Sequence, residues 1–263
     1  MPKSKALIFD IDGTAIDSPS QKLPTERLNN SVRAIESNYY VCAATGRPWP
    51  FAKPVLQGMG LIDPCIISGG TQICDPKDGT ILWQCNIQKA DVQAIKATLT
   101  KHSGYGLVIN DFSEDDYFGG GFPAEQLDTD QDMFFADYIF VPDDVAIVIA
   151  EELKAIQGII CILATAQKPG HKDIHMTNSV ATKEHAVAEL LARLKVDRQN
   201  AWGFGDALND THLFNAVGTK VAMVNAIQEL KDLADEVIAP VSEDGLARYF
   251  ERLAAATERA QTT

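Results

Sequence analysis

The sequence predicts an α/β fold: a doubly wound parallel sheet with helices on both faces, interrupted by an inserted α+β segment. Three observations lead there. Near its start the chain alternates short apolar runs with amphipathic helical stretches, the pattern of a parallel sheet. The alternation stops in the middle of the chain and resumes in its last third. The apolar runs end in Asp, Thr-Gly or Gly-Asp, polar punctuation where an interior strand leaves its core.

Each element has its own signal. Ala6 to Phe9 is a continuous apolar run, as expected of a strand buried on both faces. Pro24-Thr25-Glu26 opens a helix whose apolar residues Leu28, Val32 and Ile35 fall on one side. Residues 39–44 form a second strand, closed by Thr45-Gly46-Arg47-Pro48, and a short helix carrying Trp49 follows, with that ring facing either core or cleft. Residues 64–68 form a third strand running into Gly69-Gly70, and residues 73–83 a hairpin around Asp75-Pro76-Lys77-Asp78-Gly79. In the insertion, Val92, Ile95 and Leu99 mark a helix, 105–109 a strand, 145–156 a helix and 158–164 a strand. The stretch DFSEDDYFGGGFPAEQ between them has no readable period. The alternation returns with a helix over 182–194, a strand over 200–204, a helix opening near Leu208, and strands over 220–224 and 236–238. Leu246, Phe250 and Leu253 line a last helix, and residues 254–263 are expected to fray. Residues 1–81 and 176–263 are thus expected to form the core, and 82–175 the insertion.

Composition narrows the function. Apolar residues make up 46% of 263, enough for a sizeable core. The formal charge of -13 argues against a nucleic-acid or anionic-membrane surface, both of which select basic patches. A small anionic substrate stays possible, because a bound dication and local donors can outweigh the global charge. The five cysteines are odd in number, lack C-x-x-C spacing and lie mostly in apolar runs, as expected of reduced thiols in a cytoplasmic protein. The start MPKSKALIFDIDG meets charge too soon for a signal-peptide core, and no stretch nears about 18 uninterrupted apolar residues.

The acids at strand ends carry the chemistry. In an extended segment Asp10 and Asp12 point to the same side, beyond the carboxyl end of a strand, where open α/β sheets bind ligands. Alone, the pair reads equally as an Asx turn, a cation site or a catalytic pair. An EF-hand fits poorly, since the Gly comes early and Gln21 stands where a bidentate Glu belongs. Thr45-Gly46 offers a hydroxyl and a close-approaching backbone; a plain turn explains it as well. Lys183 starts a helix, where the dipole disfavours a cation unless an anion sits nearby; a solvated lysine is the simpler reading. Asp206, Asn209 and Asp210 fall three and four apart, hence on one helical face, and burying them is costly unless something binds there. No third glycine follows Gly203 and Gly205, so this is no dinucleotide fingerprint.

Taken in order, DIDGT, TGR, an isolated helix-start lysine and GDALND resemble the haloacid dehalogenase superfamily. The insertion falls between TGR and the lysine, as in the subgroup with a large α/β cap. Ser68-Gly69-Gly70-Thr71-Gln72-Ile73, Met223-Val224-Asn225-Ala226 and Glu243-Asp244-Gly245-Leu246 are similar to its Cof-like phosphatases. The resemblance implies a Rossmann-like core and a Mg²⁺-dependent phosphatase. By it, Asp10 attacks phosphorus and Asp12 serves as acid and base. Asp10, the Asp12 carbonyl and Asp206 hold Mg²⁺, supported by Asp210. Thr45, Gly46, Arg47, Lys183 and Asn209 bind the phosphoryl group. The chain departs from the pattern in Ala15 after Asp12-Gly13-Thr14 and in Glu184 after Lys183.

The implied substrate is a small phosphate ester, with sugar phosphates the leading class, and the implied partners include no nucleic acid and no membrane. The chain is expected to be a monomer or homodimer. A phosphomannomutase-like phosphosugar mutase carries similar motifs, and a phosphometabolite-binding protein without turnover is the rival from another class. His171 and His175 stand four apart, but KPGHKDIHMTN reads as extended, which favours solvated or cap-lining histidines over a metal pair. Residues 117–122, Tyr-Phe-Gly-Gly-Gly-Phe, read as a loop, mobile or ordinary.

Overall fold

The computed structural model describes residues 3–17 and 23–262; Gln21 and Thr263 lie outside them. The chain divides into two compact units, Met1–Trp83 with Thr182–Thr263, and Gln84–Ala181.

In the first unit β1 (Ala6–Phe9), α1 (Glu26–Ile35), β2 (Tyr40–Ala43), α2 (Trp49–Gly58) and β3 (Cys65–Ile67) follow the expected alternation. Thr25 caps α1 by accepting the Leu28 amide at 3.2 Å. Strands β3 and β4 (Gln72–Cys74) form an antiparallel pair around Ser68–Gly70, and β5 (Ile81–Gln84) lies beside β4. Gly79 turns under the Trp49 indole, where an added Cβ would meet the ring at 2.4 Å; Trp49 packs on the core.

The second unit holds α3 (Lys89–Lys101), β6 (Gly106–Ile109), α4 (Glu114–Phe118), β7 (Phe122–Pro123), β8 (Phe135–Pro142), α5 (Asp143–Leu153), β9 (Ile159–Thr165) and β10 (His171–Asn178). Its five strands lie in the order β7-β6-β8-β10-β9, all neighbours antiparallel. One face packs on α3 and α5 through Val92, Ile95, Leu99, Tyr138, Ile149, Leu153 and Ile174. Within the stretch that has no readable period, Ser113 and Asp116 close a capping box on the five-residue α4. The boundary expected at residue 175 would cut β10, which belongs whole to this sheet.

The chain returns to the first unit with α6 (Lys183–Leu194), β11 (Ala201–Gly205), α7 (Asp210–Ala216), β12 (Thr219–Met223), α8 (Gln228–Leu233), β13 (Glu236–Ile238) and α9 (Gly245–Thr262). The sheet order β13-β12-β11-β1-β2 is parallel throughout. Leu7 and Phe9 point into one apolar layer with Phe204 and Phe250; Ala6 and Ile8 point into the other with Leu190 and Phe214. That two-sided burial is why β1 is apolar at every position. The strand order runs one way from β1 to β2 and the other from β11 to β13, so the carboxyl ends of β1 and β11 meet at a switch point.

Two expectations need correction. The last helix does not fray after Leu253 but runs to Thr262, because Leu253 and Ala254 still pack on the core. The helix expected to open near Leu208 starts at Asp210, which leaves Asp206 outside it.

Candidate active site

The site grows from the exit of β1. The Asp10 amide donates to the Phe204 carbonyl of β11 at 2.9 Å, fixing Asp10 at the switch point with 6% exposure. Lys183 Nζ donates to Asp10 Oδ1 at 2.5 Å and to Asp210 Oδ1 at 2.7 Å. The lysine is 3% exposed and Asp210 fully buried. Lys183 is the first residue of α6, capped by Thr182, so the two carboxylates offset an unfavourable dipole. Gly70 lets this helix start come close: its φ is +104°, and an added Cβ would lie 2.5 Å from the Thr182 carbonyl carbon.

Asp206 completes the cluster. The Thr14 hydroxyl donates to its Oδ1 at 3.0 Å, and Asp210 Oδ2 accepts the amides of Asp206 at 3.0 Å and Ala207 at 3.1 Å. Asp206 and Asp210 therefore meet through a turn, not on a shared helical face. Carboxylate oxygens of Asp10, Asp206 and Asp210 lie within 4.8 Å of one another. Both Asp210 oxygens are engaged, so it buttresses the cluster, while Asp10 and Asp206 each keep an oxygen outside these bonds. Gly13 is shaped by the same crowding. Its φ is +84°, and a Cβ there would stand 2.1 Å from Asp206 Oδ2. The Asn225 amide nitrogen donates to the Gly13 carbonyl at 2.9 Å and pins the turn.

Three carboxylates share one ammonium here. Burial pushes the Asp10 carboxyl up to about 7, with Lys183 pulling against it and Asp210 adding to it. Burial likewise pushes Asp206 up to about 6, against the Thr14 hydrogen bond. Burial alone would lower Lys183, but Asp10 and Asp210 overcome it and hold the lysine charged. Surplus negative charge on hard oxygen donors fits a divalent cation such as Mg²⁺.

The Asp pair is divided. After Asp10 the chain turns, with the amides of Thr14, Ala15 and Ile16 converging on the Ile11 carbonyl, so the same-side rule for extended residues no longer holds. Asp10 faces Lys183, whereas Asp12 meets Arg47 in a two-pronged pair, Nε to Oδ2 at 2.9 Å and Nη2 to Oδ1 at 2.5 Å. Arg47, expected among the phosphate binders, is thus committed to Asp12. Thr45 is buried next to β1, its hydroxyl accepting the Arg47 amide at 3.1 Å. Gly46 is exposed, with open space where a side chain would stand. Asn209 is exposed at the head of α7. Thr14 and Asn225 were not assigned roles from sequence, because both act through partners far along the chain.

Residues 7–250 match the family described as haloacid dehalogenase-like hydrolase. YkrA of Bacillus subtilis (strain 168) is 28% identical over 271 residues, covering 95% of this chain and 98% of its own length. The same organism's 5-amino-6-(5-phospho-D-ribitylamino)uracil phosphatase YitU is 24% identical over 267 residues, covering 94% and 97%. Among solved structures, the subclass IIB sugar phosphatase BT4131 matches with a TM-score of 0.72 and 22% identity over 95% of this chain and 98% of that one. The fold class read from the sequence is borne out.

Proposed function

We propose that this chain, which belongs to the haloacid dehalogenase-like hydrolase family and is a phosphatase of its Cof-like branch, hydrolyses a small sugar-phosphate-class ester through an aspartyl-phosphate on Asp10. The observation that carries this reading is Lys183, buried between Asp10 and Asp210 with Asp206 alongside. YitU is a phosphatase of a phosphorylated ribityl compound and BT4131 a sugar phosphatase, and both support the substrate class.

In the proposal Asp10 Oδ attacks phosphorus, forming the Asp10 O–P bond as the ester P–O bond breaks. Asp12 gives its proton to the leaving alkoxide and then takes one from the water that splits the aspartyl-phosphate. Arg47 orients Asp12 until then. Lys183, Thr45, the Gly46 amide and Asn209 hold phosphoryl oxygens, and such donors are each worth about 3–4 kcal/mol in the transition state. Asp10 and Asp206 carboxylates, with the Asp12 carbonyl, would hold Mg²⁺, and Asp210 would steady them. When bound, the dication neutralises charge developing on the transferred group. We also propose that the chain works in the cytoplasm, a reading its five free thiols support.

Screening phosphorylated metabolites with added Mg²⁺ tests the substrate class. Release of free phosphate from sugar phosphates is expected, and an isomerised sugar phosphate as the product would instead favour a mutase. Asp10→Asn should remove at least about a thousandfold of turnover on an aryl phosphate while the chain stays folded. Undiminished hydrolysis in that variant would sink the nucleophile assignment.

A further inference from the structure

A second set of metal-ligating side chains lies inside the inserted unit, away from α3 and α5. His175 on β10 pairs in register with Asp137 on β8, and Asp173 stands two residues earlier on β10. One potential ligand atom from each lies within 4.8 Å of the others. Asp137 is 2% exposed and Asp173 4%.

The two carboxylates are held differently. Asp173 is fully engaged: the Tyr117 hydroxyl donates to its Oδ2 at 2.5 Å and the Phe140 amide to its Oδ1 at 2.8 Å. Asp137 Oδ2 sits 3.2 Å from His175 Nε2, but Asp137 Oδ1 is buried with no hydrogen-bond partner. Among the described residues only Asn29 Oδ1 shares that condition. No lysine or arginine forms an ion pair with either carboxylate among the described residues. A buried carboxylate oxygen without a partner costs several-fold more than a paired one, so its persistence points to an absent partner. An Asp–His ion pair alone satisfies Oδ2 and leaves Oδ1 bare.

We infer that Asp137, Asp173 and His175 form a binding site for a borderline first-row divalent cation of the Zn²⁺ type. One imidazole nitrogen with two carboxylate oxygens selects such ions over Mg²⁺, which prefers oxygen alone. Ligand bonds of about 2.0–2.2 Å require the three groups to draw together, and Asp137, with one oxygen unbonded, can rotate to do so. Tyr117 would hold the Asp173 carboxylate in place. The Phe135 ring, edge-on to the imidazole at 5.5 Å, fixes the histidine, whose side chain keeps 37% exposure as a door for ion and water. All three residues belong to the inserted unit, and the proposal stands whatever ester the chain hydrolyses.

Equilibrium dialysis of the full chain against Zn²⁺, with Mg²⁺ in large excess, tests it. About one Zn²⁺ per chain should be retained by the wild type and by Asp206→Asn, and retention should fall at least about tenfold in His175→Ala and in Asp137→Asn. No retained Zn²⁺, retention unaffected by His175→Ala, or loss in Asp206→Asn instead would overturn the proposal. Zinc X-ray absorption on the wild type needs no variant. One imidazole nitrogen among oxygens supports the site, and an all-oxygen shell overturns it.

Discussion

The two acidic clusters use different cations for the same problem. At the end of β1, the buried carboxylates of Asp10 and Asp210 are anchored by Lys183, whose charge is fixed across the working pH range, with half-buried Asp206 alongside. In the inserted unit, two buried carboxylates face His175, a titrating cation whose pKa they raise above its ordinary 6.5. The first cluster sits at the ends of parallel strands, where loops and a helix start supply further donors. The second sits mid-sheet, where cross-strand neighbours and the Tyr117 hydroxyl of α4 supply the support. A permanent ammonium keeps a charge-dense site assembled before anything binds. A titrating imidazole leaves its site to be completed by a ligand.

The sharpest way to break the comparison is to remove each cation. Lys183→Ala strips the ammonium from the buried Asp10 and Asp210 carboxylates and should cost about 3–5 kcal/mol of stability in metal-free buffer, read by urea denaturation. A cost no greater than that of His175→Ala would mean the lysine is no anchor. Next in size is Gly13→Ala, which places a Cβ against the Asp206 carboxylate at a positive φ. It should cost about 1–3 kcal/mol and displace Asp206, so Mg²⁺ should no longer raise the melting temperature.

The pH profile separates the clusters by window. Asp10 is pushed from 3.8 to about 7, so between those values the folded chain holds a proton that the unfolded chain has released. Stability of the metal-free protein should therefore fall as pH rises through that window, and Mg²⁺ should cancel the fall. Asp137 raises His175 above its ordinary 6.5 in spite of burial, with Asp173 adding to the effect. Its contribution is full below about 6.5 and lost as pH rises through the raised value, so His175→Ala should flatten only that upper part. Denaturation in metal-free buffer at about pH 5 and about pH 8 reads both. A fall that persists in Mg²⁺ and vanishes in His175→Ala would assign the whole effect to the second cluster. The smallest effect is expected of Asn225→Ala, which removes one hydrogen bond to the Gly13 carbonyl. It should cost about 0.5–1.5 kcal/mol and weaken Mg²⁺ binding without abolishing it, as calorimetry would read.

How well each cluster could be read from sequence follows from the same contrast. The parallel core was legible because both faces of β1 are buried, which makes ALIF apolar throughout, and because α1 and α6 carry clear periodicity. The residues of the first cluster stand at the ends of those legible elements. Their partners were less visible. Arg47 turning onto Asp12, and Asp210 turning back onto the amides of Asp206 and Ala207, are choices of side-chain direction that spacing does not encode. The second cluster was opaque for a deeper reason. Strand β8 was not read at all, since it is buried along most of its length and shows no apolar–polar alternation. Without β8 there is no register, and without register Asp137 and His175 are merely distant residues. The α4 turn, too short for a period, is held by a single capping box.

The junctions of the insertion repay one further thought. The Trp83 ring lies 5.6 Å from the His185 ring, so the points where the chain leaves the first unit and comes back are stapled together. Lys183 is laid down immediately after the return. Closing a loop whose ends are already held costs only logarithmically more as the loop lengthens. The excursion between those rings is therefore a module: it can be shortened, lengthened or exchanged with little change in the cost of forming the catalytic floor. The folding of the acid-bearing unit and the size of the insertion are separable by construction.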